Sequence, residues 1–170
     1  MAPAPRPYRP VVPSVYHRPV PPPTWRPVPT YPTITGILGI TFGTALNLSL
    51  NHLYGAGYNV AGYGNGAVYL TDVMLLNYFW DDATLYYNNA GGLAYSQFYY
   101  STPYSSMTRF NEVFSRLCST YGQPISITAI SNGQQATWFG VGNTYITLTY
   151  EYSGAMGGGY RYFTTLTCGN

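Results

Sequence analysis

The chain has 170 residues, a formal net charge of +2 and only 7% charged side chains, against 18% aromatic ones. That length accommodates one compact domain plus an appendage, and no apolar run is long enough to span a bilayer as a helix: Gly36 to Leu48 is interrupted by Thr41, Gly43, Thr44 and Asn47. The charge is unevenly spread, because Arg6, Arg9, Arg18 and Arg26 give the first 33 residues +4 with no acid. The remainder sets Arg109, Arg116 and Arg161 against Asp72, Asp81, Asp82, Glu112 and Glu151.

Residues 1–33 hold twelve of the fourteen prolines and repeat one unit three times: Tyr8-Arg9-Pro10-Val11, His17-Arg18-Pro19-Val20 and Trp25-Arg26-Pro27-Val28. Proline fixes φ and biases its preceding neighbour toward extended backbone, so this segment predicts a disordered arm sampling polyproline II, with a reach on the order of 90 Å. It reads as a spacer, with two other readings open: a ligand for an aromatic groove on a partner, or a weak cationic tether to an anionic polymer or membrane surface. Met1-Ala2-Pro3 opens without a basic start or an apolar core of a leader, so an exported form would be a mature chain with an added initiator.

The remainder, residues 34–170, reads as an α+β domain. Leu46, Leu50 and Leu53 share a helical face that stops at Gly55 and Gly57, and β-like runs follow over residues 67–80, 81–89 and 92–101, divided at Asp81-Asp82 and at Asn88 to Gly92. Phe110, Phe114 and Leu117 repeat the helical spacing, with Ser105 or Ser106 to cap the start and Gly122 and Pro124 to end it. Runs over 124–131, 134–140, 143–153 and 159–168 come next. Trp80, Thr84 and Tyr95-x-x-Phe98 are echoed by Trp138, Thr144 and Tyr160-x-x-Phe163. The expectation is therefore an internal duplication over about 36–102 and 103–170. Each unit would be a helix plus a three-stranded antiparallel meander, combined as a two-layer fold with one sheet and the helices on one face.

Strand alternation assigns Ile146, Leu148, Tyr150 and Tyr152 to the core and turns Tyr145 away. It makes Tyr95, Tyr99, Tyr145, Arg161 and Phe163 candidate binding residues on an open sheet face. Cys118 borders the stripe of the second helix and Cys168 lies on the last strand, which suggests a disulfide between them; two buried thiols are the alternative.

The tandem helix-plus-meander plan, leading from Phe110, Phe114 and Leu117 into Tyr121-Gly122-Gln123-Pro124, resembles small exported bacterial domains related to β-lactamase inhibitor protein and the small lipoprotein of the outer-membrane barrel-assembly machinery. The proline-rich arm on a Tyr- and Gly-rich body is similar to secreted proteins of gut bacteria. The resemblance implies an exported binding domain and carries over no functional residue.

Catalytic chemistry has little to build on. The two histidines are His17 in the arm and His52 near a helix end, Asp81-Asp82 reads as a turn, and Gly157-Gly158-Gly159 precedes a strand where a phosphate site needs a helix. No metal, cofactor or nucleic acid is expected. A body without lysine, kept soluble by Asn, Thr, Ser and Tyr, points to export to the periplasm, outer membrane or exterior of a bacterium. The function that fits is non-catalytic binding of a protein or envelope polymer through a tyrosine-rich sheet surface. Carbohydrate binding on an aromatic platform is the alternative and a hydrolase a distant third.

Overall fold

A computed structural model of the chain describes residues 34–154 and 156–170. Two short strands open it, β1 (Gly36–Ile37) and β2 (Ile40–Thr41), followed by helix α1 (Leu46–Gly55) and four strands: β3 (Asn59–Gly64), β4 (Ala67–Leu75), β5 (Tyr78–Tyr87) and β6 (Leu93–Thr102). Helix α2 (Thr108–Tyr121) then precedes β7 (Ser126–Ile130), β8 (Gly133–Phe139), β9 (Tyr145–Gly154) and β10 (Tyr160–Gly169), with a 3-10 turn at Val141–Asn143. The eight strands from β3 onward form one antiparallel sheet in the order β3-β4-β5-β6-β10-β9-β8-β7, while β1 and β2 form a separate hairpin.

The architecture corrects the two-layer α+β expectation of three strands per unit with helices covering one face. The fold is mostly β, with one eight-stranded sheet, a two-stranded hairpin and only two helices among the described residues. Helices of 10 and 14 residues are about 15 and 21 Å long, too little to form a layer over a sheet whose seven strand spacings span roughly 34 Å. The sequence echoes also fall at unlike places. Trp80 is on β5, two strands from the last strand, and Trp138 is on β8, also two away but on the other side, where the strand corresponding to β5 in the meander order is β9. Phe98 belongs to the core cluster, whereas Phe163 lies outside it.

Local chemistry explains where the strand divisions differ. The turn between β4 and β5 is Leu76-Asn77, both at positive φ (57° and 64°), the twist that a two-residue hairpin requires. Asp81 and Asp82, expected as that turn, lie inside β5. Asn65-Gly66 (φ 51° and 72°) turns β3 into β4, and Leu38-Gly39 (φ 53° and 77°) joins β1 to β2. Asp72 also has a positive φ, 54°, and interrupts the alternation of β4, so that Val73 and its partner Trp80 both turn into the core.

The core lies on the face that carries Val68, Leu70, Ala83, Leu85, Phe98, Leu166 and Leu148 in register across five strands. Leu53 of α1, Phe110, Val113 and Leu117 of α2, and Ile34, Leu38 and Ile40 of the hairpin segment pack into it. Polar pins fix these elements. The His52 ring donates from Nε2 to the Leu38 carbonyl (2.9 Å), and the Trp138 indole donates to the Gly122 carbonyl (2.8 Å) just past α2. Ser106 Oγ accepts from the Thr108 N–H (3.2 Å) just ahead of α2, but the N-cap position is Met107 and carries no side-chain cap hydrogen bond, so neither Ser105 nor Ser106 is the cap that the sequence suggests.

Candidate functional site

Alternation in β6, β9 and β10 places Tyr95, Tyr99, Tyr145, Arg161 and Phe163 together on the second face of the sheet, opposite the core cluster. They do not form a row of bare rings. Tyr99, Tyr145 and Phe163 are buried, and Tyr95 and Arg161 are half-buried. Tyr95 stacks on Tyr86 of β5 at 4.4 Å, Tyr99 donates its hydroxyl to Gln97 Oε1 at 2.7 Å, and Tyr145 lies flat over Gly169, where a Cβ would stand 2.5 Å from its oxygen. Between the rings run Thr84, Gln97, Thr137, Thr147 and Thr167, all buried. Arg161 donates to Ser101 Oγ (2.9 Å) while its Nε is buried without an acceptor among the described residues, and burial raises the Glu151 carboxyl above its ordinary pKa.

The arm residues Tyr8, Arg9, His17, Arg18, Trp25 and Arg26 lie outside the described residues. The expected Cys118–Cys168 disulfide is not formed, and both thiols are free. Cys168 is wholly buried opposite Ser96 and Ile146, which pushes its pKa up to about 12, whereas Cys118 sits half-buried on the flank of α2. Burial raises the phenol of Tyr121, one helical turn beyond Cys118, and the nearby Cys168 adds to that rise.

Besides the exposed rings of Tyr54, Tyr63, Tyr69, Phe79 and Tyr104, a strip of mutually contacting tyrosines lies at the far end of the β9–β10 hairpin. Tyr150 stacks on Tyr162 at 6.3 Å, Tyr162 meets Tyr152 at 6.2 Å, and Tyr152 meets Tyr160 edge-on at 5.6 Å. Exposure rises along the strip from 9% at Tyr150 to 41% at Tyr152 and 58% at Tyr160. Tyr152, expected in the core, is thus on the surface, because the sheet here runs past the end of α2 that covers Tyr150 through Phe110. Sequence reasoning found the alternation but had no signal for where the helix stops covering it.

Arg109 is a second residue that the sequence did not single out. It lies among Tyr100, Tyr78 and Trp80, 4.0, 5.4 and 6.0 Å from their ring centres, and donates to the Phe79 carbonyl. Beside it, Tyr78 and the outer side of α2 at Asn111, Glu112, Ser115, Arg116 and Ser119 line an open surface depression. Among the described residues, no three of His, Cys, Asp and Glu gather where they could hold a metal, and no helix is long and apolar enough to cross a membrane.

These features define an open antiparallel-sheet protein with one aromatic surface strip and one aromatic face buried outside its core. No family model, curated protein or solved structure matches the chain, so its functional reading rests on this geometry alone.

Proposed function

We propose that the chain is an exported, non-catalytic binding protein and that it contacts a protein partner through the tyrosine strip Tyr150, Tyr162, Tyr152 and Tyr160. The observation that carries this reading is the strip itself, four rings held in contact with one another and increasingly exposed toward the hairpin tip. Tyrosine offers a broad apolar body, a hydroxyl and only two side-chain torsions, and rings already packed on each other lose little further freedom on binding. The one near-parallel pair, Tyr150 and Tyr162 at 19°, has its Tyr150 ring buried, and the more exposed contacts meet at 44° and 87°, so the exposed part of the strip offers no flat pair of faces for a sugar ring to lie across, which favours protein over saccharide. Export is supported by the composition of the body, which keeps itself soluble without a single lysine.

A photo-crosslinking residue at position 160 of the full chain, expressed in its native envelope, tests the proposal. A discrete protein adduct that is lost when Tyr152→Ala is added supports the strip as the contact surface. Binding to a glycan array that depends on the same two positions overturns the choice of partner.

A further inference from the structure

The second face of the sheet is more deeply buried than its described surroundings account for. Tyr99, Phe139, Tyr145 and Phe163 are all 2 to 6% exposed, yet none belongs to the core cluster, and Gln97, Thr137, Thr147 and Thr167 between them are 2 to 4% exposed. The buried apolar side chains that α1, α2 and the β1–β2 hairpin contribute all join the cluster on the opposite face. A single sheet does not hide tyrosine and phenylalanine rings on its outer side to this extent; another layer has to lie over them.

We propose that this layer is the N-terminal arm of the same chain, residues 1–33. The chain enters the described structure at the right place. Thr35 accepts from the Phe42 N–H, and the next residue, Gly43, donates to Leu93 at the start of β6. This is the end of the sheet where Tyr95 pairs with Gly169 and Gly169 with Tyr145, so a chain leading into Ile34 needs only to round that end to reach the second face. Thirty-three extended residues reach about 100 Å, enough to cross a sheet roughly 34 Å wide and return.

The chemistry is complementary as well. The face carries Asp82 and Glu151 against the single guanidinium of Arg161 among the described residues, and the arm brings Arg6, Arg9, Arg18 and Arg26 with no acid. Each of these arginines is followed by proline, and Tyr8, His17 and Trp25 precede three of them or stand beside them. Proline-rich segments dock on aromatic surfaces because little chain entropy remains to be lost, and threonine and glutamine rows supply hydrogen bonds to backbone carbonyls that no ladder uses. The arm in this role is part of the domain, which reverses its reading as a spacer.

Trp25 reports on the docking in the intact chain, since Trp80 and Trp138 are buried in the core. Its signal is the difference between the full chain and Trp25→Phe, followed by acrylamide quenching. The expected result is quenching of Trp25 at least threefold weaker than in a free peptide of residues 1–33, unchanged on dilution. Thr165→Arg, which adds a cation at half-buried Thr165 in the middle of the face, is expected to restore peptide-like quenching while the chain still melts cooperatively. Equal quenching in the chain and the peptide overturns the proposal. Protection that vanishes on dilution together with a dimer overturns it in favour of the arm of a second copy.

Discussion

The guanidinium carbon of Arg109 stands 4.0 Å from the centre of the Tyr100 ring, which ties the first turn of α2 to β6. Tyr78 and Trp80 of β5 flank the same cation and the Phe79 carbonyl accepts from it, so one side chain joins the helix to two strands. A partly buried cation–π contact and a charged hydrogen bond together place the cost of Arg109→Ala at about 2 kcal/mol. Arg109→Lys is expected to recover less than half of this, because an ammonium lacks the planar stack. Urea unfolding of the three proteins measures both.

Gly133 starts β8 where a Cβ would fall 1.8 Å from the Tyr150 carbonyl oxygen, and backbone cannot rotate out of the way as a side chain can. Gly133→Ala is expected to lose roughly 2–3 kcal/mol through displacement of β8 from β9. Gly154→Ala, where nothing lies within 4 Å, is the matched control and is expected to stay within about 0.5 kcal/mol. Thermal melts of the two variants compare them directly.

Both thiols are free, but their surroundings differ. With its pKa pushed up to about 12, Cys168 is almost entirely protonated at pH 8, whereas Cys118 is only half-buried. Alkylation of the native protein at pH 8 is expected to modify Cys118 at least about a hundredfold faster than Cys168, with the difference abolished in denaturant. Peptide mass spectrometry after timed quenching reads the ratio, and comparable native rates would contradict the burial of β10.

Burial raises the Glu151 carboxyl above its ordinary value of 4.5. A group that holds its proton more tightly when folded stabilises the fold below its unfolded pKa, and that contribution is lost as pH rises through the folded pKa. Glu151→Gln, which mimics the protonated acid, is therefore expected to match the wild type at pH 4 and to be the more stable of the two at pH 7. Melting curves across that interval test the sign, and a variant less stable at pH 7 would place a cation beside the carboxylate.

Much of the local plan is legible in the chain. Phe110 and Leu117 define the buried side of α2, and the alternation of Ile146, Leu148 and Tyr150 identifies the core face of β9, because both follow from backbone period alone. The division of the first meander is not legible in the same way. Leu76 and Asn77 adopt positive φ without a glycine, held there by a packed Leu76 side chain, so the run from Ala67 to Trp80 reads as one strand although it holds parts of two. Asn65-Gly66 is a strong hairpin signal in the sequence, and it marks the turn from β3 into β4. Tyr95, Tyr99, Tyr145, Arg161 and Phe163 do share a face, but alternation tells which side a residue takes and not what lies above it. Arg109 was invisible for a related reason: its ring partners are nine to thirty-one positions away, on strands whose order no local pattern encodes.

The pairing of β6 with β10 has a consequence for how the protein is made. Each meander closes through neighbours in sequence, but the seam between them joins Tyr99 to Thr165, and it lies in the middle of the sheet with four strands on either side. While the chain is being synthesised, the first meander must wait with the β6 edge unpaired until the tenth strand has left the ribosome, and contacts of such long range form slowly. A premature stop before Tyr160 would consequently not trim an outer strand. It would leave two half-sheets with nothing between them, each ending in an open edge able to capture another chain.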